Sequence, residues 1–413
     1  MAKKRIVVTG SGVISSIGIG KKQYWRGLQE GRSGVGPITL FKTEPYSVKS
    51  AGEASRFEPT AYFNKKELVN FDRATSLIVA AAKMVIGDAG LKITPENADQ
   101  INISVGTTFG SLQSLSEFDK ESVVKGPQLV NPSRFPNTVA NLPSSQVSIY
   151  FQIKGMNATI STGMCAGLDA IDYAVKAIQL YDRKIVLTGS VEEMCEQTFI
   201  GFYRLNMLAG KKDNEPAISC PFDKRRHGIV FGEGATMLML EDIEYAQKRQ
   251  ASILCEIVSM ASNYDPFSFH RYNPKAKGMI RVMQAALWRA NLDPQDIDCI
   301  FANANSTLQG DLAEAVAIEE VLGKSVGNVP VTSIKSMVGE TYSAAGGLAA
   351  LGAVCAIQDG IVPPTINYKE RDPRIHLNIA ANKAKRADLR FVMVNAFGQN
   401  GMNTSLILKR FEK

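Results

Sequence analysis

Strand-like and helix-like stretches alternate along this chain, and near residue 250 the alternation starts afresh. That restart is the strongest constraint on the fold. In the first round, residues 5–13 read as a buried strand running into a glycine turn. Residues 71–89 read as a helix, with Asp72 near its start and Gly90 just past its end, and 101–105, 184–187 and 236–240 read as strands. In the second round, 279–292 and 311–322 read as helices, 299–303 and 329–334 as strands, and 391–395 with 404–409 as a closing pair. Residues 344–358 are so rich in alanine and glycine that a helix there must be buried on all sides. Two such rounds predict an α/β protein of two similar halves with stacked sheets, divided as 1–250 and 251–413. Residues 33–66 are expected to loop over the surface, and the stretch through Pro132, Pro136 and Pro143 to be loop-rich.

The stretch Ser161-Thr162-Gly163-Met164-Cys165-Ala166-Gly167 crowds small residues around one cysteine, and Leu168, Ile171, Ala174, Val175 and Ile178 follow at helical spacing. Cys165 is therefore expected in the first turn of a helix. A thiol there meets unpaired backbone N–H groups and the positive end of the helix dipole, both of which favour thiolate and suit a nucleophile. The same pattern fits a small buried cysteine packed as a hydrophobe. The other five cysteines are scattered with no Cys-x-x-Cys pair, so neither a disulfide framework nor a zinc site is expected. Gly10 and Gly12 supply part of a dinucleotide-binding loop, but Ser15 holds the third glycine's place, and that reading is set aside. At 45% hydrophobic and 21% charged residues over 413, the chain suits a soluble protein with a large core. No apolar run is long enough to cross a bilayer, and Met1-Ala2-Lys3-Lys4-Arg5 leads straight into a strand, so a cytoplasmic protein without membrane contact is expected. A net charge of +7 is too diffuse to argue for nucleic acid but fits an acidic partner.

Four further stretches line up in order with one family. Pro221-Phe222-Asp223, followed by Gly228-Ile229-Val230-Phe231-Gly232-Glu233-Gly234-Ala235, resembles its PFD…GxVxGEGA segment. Residues 302–307 with Asp311 resemble its AHGTST…D loop. Lys335-Ser336-Met337-Val338-Gly339 with Ala344-Ala345-Gly346-Gly347 resembles KSxxGH…AAG, and residues 395–403 resemble NxFGxGGxN. With the amino-terminal strand and the Cys165 helix, the chain resembles a β-ketoacyl-acyl-carrier-protein synthase of the fatty-acid elongation (type II) kind over nearly its whole length. The resemblance implies the thiolase fold, two similar halves layered α-β-α-β-α, forming a dimer. It implies Cys165 as the acylated nucleophile, Gln399, Phe397, Thr307 and Ser306 around the oxyanion hole and the acyl and pantetheine contacts, and acyl carrier protein as partner. No metal or organic cofactor is implied.

Two departures change the chemistry. The family's two catalytic histidines are Asn303 and Glu340 here, and the only histidines are His227, His270 and His376. In the family the imidazoles donate hydrogen bonds to the enolate that forms when malonyl-carrier loses carbon dioxide, and losing one such donor costs roughly 3–4 kcal/mol. Asn303 retains an amide donor. Glu340, if ionised, would repel the substrate unless Lys335 pairs with it or burial keeps it protonated. The phenylalanine that gates the family's acyl pocket is Gln399, with Asn400 after it, and the aspartate of an RDG-like segment is His227, read here as a structural polar contact.

Three readings follow. One is an active condensing enzyme with a rewired Cys165–Asn303–Glu340 site. The second is a chain-length-factor-like subunit paired with an active ketosynthase. The third is an acyltransferase or thioester hydrolase with Glu340 as base. A homodimer goes with the first and third, a heterodimer with the second. Lys65-Lys66-Glu67 lies where the family meets its carrier, Met164 and Met402 read as tunnel wall or core, and Phe109-Gly110 and Phe135-Pro136 fall where the family's dimer interface and acyl tunnel lie.

Overall fold

The computed structural model describes residues 4–211 and 217–412. Met1, Ala2 and Lys3, the head of the expected lead-in to the first strand, lie outside the described residues. Among the described residues the first sheet runs in the order Asn157–Ile160, Ile101–Gly106, Ile185–Glu192, Gly234–Asp242, Ile6–Ser15, with the short strand Gly18–Ile19 paired onto the last. The second runs Cys255–Tyr264, Met402–Lys409, Phe391–Phe397, Cys299–Phe301, Pro330–Thr332, Asn378–Ile379. The two join at one corner, where Ile6, Val7 and Val8 pair antiparallel with Ile257, Glu256 and Cys255.

Strand alternation sorts side chains into layers. Along Gly234–Asp242, Met237 and Met239 face a core shared with Leu77 and Ile78 of helix Arg73–Asp88. Leu238 and Leu240 face the opposite way, onto Leu168 and Ile171 of helix Ala166–Leu180 and Leu348 and Leu351 of helix Ser343–Asp359. That central core is closed from the other side by Val392, Val394, Leu406 and Leu408. Met393 and Ile407 turn outward onto a third core with Met279 and Met283 of helix Lys277–Ala290 and Ile318 of helix Leu308–Leu322. The result is helix, sheet, helix, sheet, helix: the thiolase-type layering the sequence implied. All but two residues of Ser343–Asp359 are buried, as its composition requires.

The glycines near the amino terminus serve packing. Gly12 lies mid-strand, and a Cβ there would sit 2.0 Å from the Ala81 carbonyl oxygen, so helix Arg73–Asp88 presses directly on this backbone. Asp72 caps that helix by accepting from the Thr75 N–H at 2.8 Å.

Other expectations change. The proline-bearing stretch contains two helices, Leu112–Lys125 and Leu142–Phe151. The first buries no side chain, so its sequence carries little helical periodicity. In the second, Pro143 sits in the first turn, where its missing N–H leaves no bond unmade. Residues 33–66 are not wholly superficial. Ala51, Glu53, Ala54 and Phe57 are buried, and Gly52 bridges to Gly232.

Candidate active site

Edge strand Asn157–Ile160 ends just before a single 3₁₀ turn, Gly163–Cys165, which feeds helix Ala166–Leu180. Gly163 supplies the positive φ, +64°, that turns the chain. Gly106 at the end of its strand abuts the helix start, where a Cβ would lie 2.3 Å from the Ala166 carbonyl oxygen. These contacts set the rotation of the turn and hence where each side chain points.

Cys165 has no exposed surface. Its thiol donates to the Ala396 carbonyl at 3.1 Å and belongs to the central core with Leu168 and Leu348. Burial pushes the thiol far up, with nearby Asp169 adding to the effect. Lys335 and the Gly398 N–H favour the thiolate but are outweighed. Desolvation therefore works against the thiolate expected at this helix start.

The neighbouring residue, Met164, is itself 3% exposed but contributes to a cleft wall. A cleft of about 220 Å³ is lined by Met164, Tyr272, His227, Asn305, Thr307 and Gln399 among others, and not by Cys165. Met164 meets the Tyr272 hydroxyl at 3.8 Å, and that hydroxyl reaches the Phe397 carbonyl at 3.4 Å, long for such a bond. A thioether has no proton to lose and cannot attack a thioester as thiolate does.

Behind the cleft lies a buried polar network. The Lys335 ammonium donates to Glu340 Oε2 at 2.8 Å and Asn303 Oδ1 at 2.9 Å. Asn305 Nδ2 donates to Glu340 Oε2 at 2.9 Å and the Tyr342 N–H to Glu340 Oε1 at 2.9 Å. Glu340 therefore receives three hydrogen bonds. Asn303 donates one of its two amide hydrogens to the Phe397 carbonyl at 3.1 Å. The loop carrying these asparagines is held by two acids of helix Leu308–Leu322. Asp311 accepts from the N–H groups of Phe222, Asn305 and Ser306, and Glu314 accepts from the Asn303 N–H at 2.8 Å. Burial raises both carboxyls, Asp311 to about 6 and Glu314 to about 8.

Comparison with known proteins identifies this architecture. Residues 3–246 match the model of the beta-ketoacyl synthase N-terminal domain and 254–369 that of the C-terminal domain. The chain belongs to the β-ketoacyl synthase family. It is 35% identical to a 3-oxoacyl-[acyl-carrier-protein] synthase 2 of Staphylococcus aureus (strain COL) over 410 residues, 99% of each chain. It is 34% identical to the Synechocystis protein of the same name over 413 residues, covering 100% of this chain and 99% of that one. Among solved structures, the ishigamide ketosynthase/chain length factor superposes with TM-score 0.93 at 34% identity, each chain fully covered. A type II polyketide ketosynthase complexed with its acyl-carrier protein (AntDE:AntF) superposes with TM-score 0.89 at 26% identity, covering 99% of this chain and all of that one.

For a β-ketoacyl synthase, the site residues named from sequence divide unevenly. Asn303, Glu340 and Lys335 do converge. Thr307 lines the cleft, with its hydroxyl given to Asn305 Oδ1 at 2.8 Å. Ser306 does not line it. Its hydroxyl is fully buried and accepts from the Cys220 N–H at 3.1 Å. Phe397 contributes only a carbonyl, an acceptor unsuited to an oxyanion hole, while its ring packs in the outer core. Gln399 lines the cleft and its side chain donates to the His270 carbonyl at 2.6 Å, which ties the glycine-rich loop to residues 265–276. His227 accepts from the Gly210 N–H at 3.1 Å and contacts the Arg225 carbonyl at 3.0 Å, the polar contact expected. Phe109 stacks on Tyr342 with ring centroids 5.1 Å apart, and Phe135 stands exposed on the 132–138 turn. Lys65 and Lys66 form an exposed turn of helix capped by Asn64 and Glu67.

The sequence reading passed over Tyr272 and Glu314. Glu314 had a signal: a second acid three residues after Asp311, on the face of a helix that is otherwise apolar.

Proposed function

We propose that this chain is a non-condensing, chain-length-factor-like ketosynthase homologue that works beside an active, histidine-bearing ketosynthase on acyl chains carried by acyl carrier protein, in fatty-acid or polyketide-type assembly. The observation that carries the reading is the position of the one candidate nucleophile. Cys165 is turned into the core while Met164 occupies the cleft. The family's decarboxylative step further needs donors aimed at a forming enolate. Asn303 has one of its two amide hydrogens committed to Phe397, and Glu340 is an acceptor tied to Lys335, Asn305 and Tyr342. Likeness to a ketosynthase/chain length factor pair and to a ketosynthase complexed with its carrier protein supports the pairing and the carrier.

The test is intact-mass analysis of the purified chain after incubation with acyl-carrier protein and then malonyl-carrier, alone and co-expressed with a histidine-bearing ketosynthase of its own organism. The expected result is no acyl adduct on this chain, a stable heterodimer, and extended product only from the pair. A thioester mapped to Cys165 would overturn the proposal. Followed by extension, it would favour a Cys165–Asn303–Glu340 condensing site; followed by loss to water, a hydrolase with Glu340 as base.

A further inference from the structure

A second chamber adjoins the cleft and has a different chemistry. It holds about 270 Å³ and is lined by Phe267, Arg271, Tyr272, Pro274, Gln309, Leu312 and Ala313. Tyr272 and Gln309 also line the cleft and so form the shared wall. Its lining is mostly apolar and contains no carboxylate.

Arg271 is the one charged group on that lining. Among the described residues its guanidinium has no ion-pair or hydrogen-bond partner. The nearest acid around the adjoining small pocket, Asp265, is already engaged. Its Oδ2 accepts from Asn273 Nδ2 at 3.0 Å and from the Gly278 N–H at 2.9 Å. An arginine fork prefers the planar pair of oxygens of a carboxylate. Phe267 is half-exposed and Leu312 only partly buried, so apolar surface is left uncovered on both sides of the cation.

We propose that this chamber binds a medium-chain fatty carboxylate non-covalently, with the carboxylate on Arg271 and the alkyl chain against Phe267, Pro274, Leu312 and Ala313. The site is independent of the cleft chemistry and stands whether or not the chain condenses. Bound ligand would press on the shared wall at Tyr272, whose hydroxyl reaches the same Phe397 carbonyl that holds Asn303.

Isothermal titration of the full chain with hexanoate, octanoate and decanoate, and with octanol and octylamine, tests this. Affinity should rise with chain length, by up to about fourfold per methylene until the chamber is full. Octanoate should bind at least tenfold tighter than octanol, and octylamine weakest. Arg271→Gln, on an exposed loop, should remove the preference for carboxylate. Leu312→Trp, checked for folding by circular dichroism, should fill the chamber and abolish binding. Equal affinity for the three head groups, binding unchanged by Leu312→Trp, or no saturable binding would overturn the proposal.

Discussion

Removing the Lys335 ammonium is the sharpest probe of the buried network. Lys335 is 4% exposed and Glu340 1% exposed, with 2.8 Å between their charged atoms. In Lys335→Met the Glu340 carboxylate keeps two neutral donors, Asn305 Nδ2 and the Tyr342 N–H, but loses its only counter-charge. Breaking one side of such a pair costs about 3–5 kcal/mol, because a buried charge is left uncompensated. An unfolding entropy of roughly 2.1 cal/mol/K per residue, taken over 413 residues, converts this to a fall in Tm of about 3–6 °C. Lys335→Met/Glu340→Gln removes both charges and should recover most of the loss. Differential scanning fluorimetry of the three proteins is the assay. A single variant as stable as wild type, or a double variant no better than the single, would refute the view that Lys335 and Glu340 form a stabilising structural pair.

Further outcomes follow from the same geometry. Met164→Cys should place a thiol in the cleft that iodoacetamide alkylates in the native protein, while Cys165 of the wild type stays unmodified until unfolding, as peptide mapping by mass would show. Burial raises Glu192 to about 7 and Glu193 to about 8, and Glu314 likewise. Folded-state values above the unfolded value near 4.3 mean that stability is lost as pH rises through them. The wild type should therefore weaken between pH 5 and 9 in urea unfolding, and Glu193→Gln should flatten that slope. Gly12→Ala drives a Cβ against the Ala81 carbonyl and should cost about 3 kcal/mol, read as a lowered Tm.

Sequence pattern located the architecture well because its long strands and its central helix Ser343–Asp359 are buried on both faces. Period-2 and all-apolar runs survive in such elements, as in residues 236–240 and 344–358. The helix Leu112–Lys125 escaped notice for the opposite reason: nothing in it is buried, so nothing in it is patterned. At the site, motif order placed Asn303, Lys335 and Glu340 together, and the predicted pairing of Lys335 with Glu340 is present at 2.8 Å. What motif order missed was direction. Ser306 and Phe397 stand in the right loops but turn their side chains away from the cleft.

By itself the sequence determined the family, the two-half layered fold and the absence of both imidazoles, since these depend on residue identity and on periodicity carried over many positions. Only tertiary structure decided which sulphur meets the cleft. Neighbouring residues in a 3₁₀ turn point about 120° apart, and one-residue phase there depends on Gly163, on the press of Gly106 against Ala166 and on the Ala396 carbonyl from the other half of the chain. Local spacing leaves that rotation open, and long-range packing closes it with Cys165 inside and Met164 at the surface of the cleft.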